Sequence, residues 1–147
     1  MGHELVRILF ELEADAWHGV ATERLWADRV APGRYRLRNT PFFAFGVSCG
    51  DIVSGEEHDG QVVFRSVTIK GGHSSYRIRP TAEIDSDAFR ECWVPIEGLG
   101  CTFEQGRVLA VDIPAATDIH RVHELLEAGE SAGVWQFEEG DCGHAIE

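Results

Sequence analysis

Between Val6 and Arg79 several short runs place side chains of one kind at every second position, and beyond Pro80 helical spacing joins them. Val6, Ile8, Phe10 and Leu12 alternate with Arg7, Leu9, Glu11 and Glu13. Tyr35 and Leu37 alternate with Arg34, Arg36 and Arg38, and Tyr76 and Ile78 oppose Arg77 and Arg79. A period of two puts one set of side chains on each face of a β-strand. "DIVSG" and "VVFRSVTI" flank "EEHDG", whose Asp59-Gly60 pair is a strong hairpin signal. Residues 1–72 are therefore expected to form short strands in a small curved sheet or barrel-like half.

The second half changes period. Ser86 or Asp87 caps a helix over "SDAFRECW", which Pro95 is expected to interrupt. "CTFEQGRVLAVDIP" reads as two strands joined at Gln105-Gly106. Thr117 or Asp118 caps a second helix with Ile119, Val122, Leu125 and Leu126 in one apolar stripe, and "VWQFEE" closes as a strand. With "SSYRIR" in front, the order is β-α-β-β-α-β, so residues 73–147 are expected to form a ferredoxin-like half. The fold class is α+β. "PTAEIDSD" is the softest boundary, and the two halves are expected to share one compact unit.

"RNTPFFAFGVSCGD", Arg38 to Asp51, is unusually aromatic for a connection. Extended from Pro41, it would place Phe43, Phe45 and Val47 on one face and Phe42, Ala44 and Gly46 on the other. That pattern predicts a buried strand, with small residues letting a neighbouring backbone approach.

Charge narrows the function. Residues 1–80 carry equal numbers of acidic and basic side chains, so the whole formal charge of −12 lies in residues 81–147. Such a half repels a phosphate backbone and attracts a basic protein, which argues against nucleic acid as its partner. No stretch is apolar for long enough to span a membrane, and the N-terminus lacks the apolar run of a signal peptide. The expected location is the cytoplasm, with Cys49, Cys92, Cys101 and Cys142 as free thiols.

Chemistry-bearing residues gather in "KGGHSSYRIR". The Gly-Gly pair can turn backbone amides toward an anion, with His73 and Ser74 adding donors. Asn39, Asp51, Gly72, His73, Ser74 and Arg77 are the candidate ligand-binding residues, for a small anionic ligand. Arg34, Arg36 and Arg38 would join Arg77 and Arg79 if their strands were neighbours. A Gly-Gly turn whose arginines pair with the acidic half accounts for the same residues. His73 as general base oriented by Asp51 is the candidate catalytic pair. Cys101, Cys142 and His144 fall short of the spacing of a structural zinc site, and His120 with His123 reads as a solvated helix face. No cofactor motif or hydrolase signature is present, so neither metal nor cofactor is expected and the balance lies against an enzyme.

The blocks "ERLWA", "YRLRNTPFF", "GVSCGD", "GHSSYRI", "LGCTFE", "LAVDIP", "LLEAGE" and "GVWQFEEGDCGH" resemble, in order, the bacterial domain-of-unknown-function family 4265. The resemblance runs from Glu23 to His144. Its "NxPFF…GD…GHS" motif falls on Asn39, Pro41, Phe42, Phe43, Gly50, Asp51, Gly72, His73 and Ser74. It implies a bacterial origin and a domain boundary, and brings no activity with it. The second half is also loosely similar to the acidic ferredoxin-like ribonuclease E regulators, an analogy of element order and charge alone.

Two functions follow. One is a non-catalytic acidic binding protein of immunity, antitoxin or inhibitor type. It would cover a basic protein surface through Glu97, Glu104, Glu124, Glu127, Glu130, Glu138 and Glu139, with Trp135 as anchor. The other is a small-molecule-binding protein or enzyme whose site lies around the GGHSS segment and the NTPFF and Gly-Asp turns.

Overall fold

The computed structural model describes residues 5–13 and 18–145. They form nine strands in two sheets and two helices, a mixed α+β fold. The first sheet runs in the order β1 (Leu5–Glu11), β2 (Thr22–Ala31), β3 (Arg34–Leu37), β4 (Ile52–His58) and β5 (Gln61–Ile69). Neighbours are antiparallel, and β5 returns to pair with β1 in parallel at Ile8↔Val62 and Leu9↔Val63. The alternation works as expected: Ile8, Phe10, Leu25, Ala27, Tyr35, Leu37 and Val53 point inward into one buried cluster. Asp59 and Gly60 take φ of 53° and 80°, the left-handed pair that a two-residue hairpin needs. Gly55 sits at a register shift, where a Cβ would come within 2.6 Å of Val62 Cγ1, so only glycine lets the strand bend over Val62.

The second sheet contains β6 (Ser74–Pro80), β7 (Thr102–Gln105), β8 (Leu109–Ile113) and β9 (Trp135–Asp141), in the order β7-β8-β6-β9 and antiparallel throughout. Helices α1 (Asp87–Glu97) and α2 (Ile119–Ser131) cover one face. Tyr76, Ile78, Leu109, Val111 and Ile113 meet Phe89, Trp93, Ile96, Val122 and Leu126 there. Ser86 and Asp118 are the caps, their side-chain oxygens accepting backbone N–H groups of the first turn.

Two expectations need correction. Helix α1 continues through Pro95 to Glu97. The proline removes a single hydrogen bond in the last turn, while buried Ile96 and the Gly98 N–H to Val94 C=O bond hold that turn in place. The aromatic stretch after β3 is not a strand. Its alternation breaks at Gly46, φ 81°, so Val47 is buried whereas Phe45 is 57% exposed.

That loop covers the other face of the second sheet, and this joins the two halves. Ser75 Oγ donates to the Val47 carbonyl at 3.1 Å, and Gly46 N donates to the Gly140 carbonyl at 3.0 Å. Arg77 Nη2 donates to the Ala44 carbonyl. Strand β6 is thus covered on both faces, by helices on one and by the loop on the other.

Candidate functional site

The loop is held by a carboxylate. Glu23, on β2 and 9% exposed, accepts N–H groups from Phe42 at 2.5 Å, Phe43 at 3.1 Å and Ala44 at 2.9 Å. Three successive amides turned toward one point form an anion nest, and here the anion comes from the chain itself. Asn39 closes the loop's other end, its Oδ1 accepting from Trp26 N at 2.8 Å and its Nδ2 donating to Glu104 Oε1 at 3.3 Å. Asn39 and Glu104 are thus spent on each other and on the backbone.

Next to the loop stands Lys70, the only lysine in the chain. Its ammonium reaches Asp51 Oδ2 at 2.7 Å, Asp141 Oδ2 at 2.6 Å and the Gly46 carbonyl at 3.3 Å. Asp51 is fully buried and accepts two further hydrogen bonds, from Ser48 N and Gly71 N. Burial pulls the Lys70 pKa down, but the hydrogen bonds and charges of Asp141 and Asp51 outweigh it, and the net shift is upward. This triad fastens the loop, β5 and β9 together.

His73 does not meet Asp51. Its Nδ1 lies 2.8 Å from Asp112 Oδ1 on β8, and Asp51 is turned to Lys70 and the loop amides. The expected catalytic pairing is therefore replaced by a partly exposed His73–Asp112 dyad, with the ring beside Gly50. Ser74 is fully buried, its hydroxyl 2.6 Å from His144 Nδ1. His144 Nε2 faces the Pro114 carbonyl at 2.8 Å, so Nε2 carries the proton and Nδ1 accepts from Ser74. The Ser74 hydroxyl also accepts from Gly143 N at 3.0 Å, so the pair fastens the start of β6 to the segment after β9. Gly72 turns at φ 91° with Ala115 packed against it, and the amide of Gly71 does not join the expected open nest. Gly71 N is committed to Asp51.

Two of the thiols, Cys49 and Cys101, are held protonated. Burial, followed by the charges of Asp112, Glu104 and Asp51, pushes Cys49 up to about 11, with Arg38 opposing. Burial and Asp112 push Cys101 up to about 11 as well. Both stay protonated at neutral pH, which is wrong for a nucleophile. Among the described residues no three His, Cys, Asp or Glu side chains converge as metal ligands. Cys142 Sγ instead contacts the His144 carbonyl, and His123 pairs with Glu127 at 2.7 Å.

The arginine strands are not neighbours: β3 pairs with β2 and β4, and β6 with β8 and β9. Arg34, Arg36 and Arg38 stay exposed, whereas Arg77 is 2% exposed, its guanidinium carbon 4.5 Å from the centre of the Phe45 ring. The expectation of one arginine patch fails because Arg77 lies under the loop. Burial lowers the Arg77 pKa, against the charges of Glu138 and Glu23. Its Nη1 is 3.6 Å from Glu138 Oε1.

Of the acidic candidates, Glu97, Glu124, Glu127, Glu130 and Glu139 are exposed, and Glu139 accepts from the Tyr76 hydroxyl at 3.1 Å. Glu138 is turned to Arg77. Trp135 is not an anchor. It is 1% exposed, with Nε1 donating to the Leu126 carbonyl at 2.9 Å and the indole packed against Gly129.

The elements meeting here are those of the "NxPFF…GD…GHS" motif. The domain of unknown function DUF4265 matches residues 23–137. The chain belongs to this family. The matched span opens on Glu23, the residue that gathers the loop amides, and includes Lys70, His73 and Arg77. The chain is also similar to a crystal structure of a hypothetical protein from Neisseria gonorrhoeae. The TM-score is 0.80 at 17% identity, with 99% of each chain covered, which establishes a shared fold. No curated protein sequence matches the chain.

Sequence reasoning missed Glu23, Lys70, Asp112 and Asp141. One signal was present: a lone lysine next to the Gly-Gly turn, in a chain whose other cations are arginines.

Proposed function

We propose that this DUF4265 member is a non-catalytic acidic binding protein, of immunity, antitoxin or inhibitor type, that covers a basic protein surface. The observation carrying this reading is where the acid lies. The helices pack side by side on the sheet face opposite the aromatic loop, so their outer faces point away from the first half. Glu91 and Glu97 on α1 and Glu124, Glu127 and Glu130 on α2 are all exposed there, against Arg90 and Arg121. Val94, 56% exposed, adds an apolar contact among the charges. A surface of this kind favours fast, salt-sensitive association with a cationic partner.

The enzyme reading has less support. Lys70 and Asp51 neutralise each other, Ser74 is sealed, and Cys49 is held as a thiol. A cytoplasmic location goes with the proposal and is supported by four cysteines without a disulfide. The finer fold reading, a barrel-like half followed by a ferredoxin-like half, is supported by the return of β5 to β1 and by the order β7-β8-β6-β9.

The test is capture on the immobilised protein at low ionic strength, followed by a salt ramp. A single basic protein leaving stoichiometrically at intermediate salt is expected. A column that retains no protein from the host lysate overturns the proposal.

A further inference from the structure

A cavity of about 220 Å³ lies along β6 and β9, and Arg77, Arg79, Gln136, Phe137 and Glu138 wall it together with Glu130 of α2. Arg77 stands opposite Glu138 in the ladder, and Arg79 opposite Gln136. Arg77 is 2% exposed, yet its Nε and Nη1 have no hydrogen-bond partner, and neither does the buried Glu138 Oε1. Buried polar atoms are almost always paired, and an unmade bond to a charged group is expensive.

These two groups would satisfy each other by closing to about 2.8 Å, the usual separation of a charged N–H···O pair. They stand at 3.6 Å instead. The guanidinium is held back by Nη2, committed to the Ala44 carbonyl, and by the Phe45 ring 4.5 Å from its carbon. Glu23 holds Ala44 in turn, through the backbone N–H of the same residue. The loop therefore pins the arginine at a distance that leaves a buried donor and a buried acceptor of opposite charge side by side and unbonded, at the wall of the cavity.

A molecule that fits must offer an acceptor to the arginine and a donor to the glutamate within a few ångströms. A simple anion is repelled by Glu138 and Glu130, and a simple cation by Arg77 and Arg79. We propose that the cavity binds a small zwitterion of the α-amino acid type, its carboxylate received by Arg77 and its ammonium by Glu138. The volume is below that of pockets for drug-sized ligands, about 300–1,000 Å³, and suits so small a molecule. Phe137 and Val108 supply apolar wall for its side chain. The cavity shares Glu130 with the acidic helix face, but the paired Arg77 and Glu138 are no part of the five helix glutamates named for that face, so either reading can fail without the other.

The experiment is calorimetric titration of the full chain with the standard free L-amino acids at millimolar concentration, and with the N-acetylated form of each that binds. At least one free amino acid is expected to saturate the protein, with the N-acetylated form at least about tenfold weaker, since it lacks the ammonium that Glu138 receives. Arg77→Lys risks the fold by losing the Ala44 bond, so Glu138→Gln is the informative variant. It keeps the side-chain volume and is expected to weaken the free amino acid about tenfold while sparing or improving the N-acetylated form. Absence of binding by every free amino acid overturns the proposal. So does equal affinity for free and N-acetylated forms, or an affinity unchanged in Glu138→Gln.

Discussion

Lys70 Nζ stands 2.7 Å from Asp51 Oδ2, and Asp51 has no exposed surface at all. A carboxylate so placed stays charged only if compensated, and the compensation comes from one lysine and two backbone amides. Lys70→Met should destabilise the fold by about 2 kcal/mol, less than for a wholly buried pair because Lys70 is partly exposed. Urea denaturation measures this, and an unchanged midpoint would show that the pair is only decorative.

Glu23 should matter for the loop more than for the sheet that carries it. Glu23→Ala strips three amides of their acceptor and is expected to cost about 2–3 kcal/mol. Glu23→Gln keeps one carbonyl oxygen and should cost about 1 kcal/mol. Amide hydrogen exchange at Phe42, Phe43 and Ala44 should accelerate in both variants, and protection equal to wild type would contradict the nest.

Gly143→Ala should be disruptive although its neighbourhood is half-exposed. A Cβ there would strike the His73 carbonyl oxygen, which is backbone and cannot swing aside. A loss of about 2 kcal/mol or more is expected, together with displacement of His73 from Asp112. Thermal denaturation and the histidine ring signals in NMR read the two effects.

Stability should fall at alkaline pH, with a defined onset. Cys49 and Cys101 are held at about 11, above the ordinary thiol value of 9.0. Above pH 9 the unfolded chain releases those protons while the folded chain keeps them, so stability drops as pH rises toward 11. Lys70 adds to the same trend higher up, because its folded pKa is raised above 10.5. A Cys49→Ser, Cys101→Ala double variant should show a shallower decline of Tm from pH 9. An equally steep decline would contradict the assignment.

Local pattern made the elements legible. Alternation placed β1, β3 and β6, Asp59-Gly60 placed a hairpin, and Asp118 with the Ile119–Leu126 stripe placed α2. It failed wherever a second surface decides the outcome. The alternation of β6 reads as one buried and one solvated face, but the loop buries Arg77 on the face that looks polar. Trp135 resembles an exposed anchor in an acidic strand until Gly129 opens a place for it beneath α2. The aromatic loop has the spacing of a strand, yet its amides go to Glu23, far back in the chain. His73 meets Asp112 instead of Asp51 for the same reason: a side chain's partner across sheets leaves no trace in spacing.

The acidic helix face tests the functional account most directly. The measurement is the association rate of the captured partner with wild type and with a Glu124→Lys, Glu127→Lys variant of unchanged Tm, each over a range of salt. Both glutamates are exposed, so the fold should tolerate the exchange. The account predicts association slower by about tenfold or more in the variant, and a flatter salt dependence. Equal rates and equal salt dependence would contradict it.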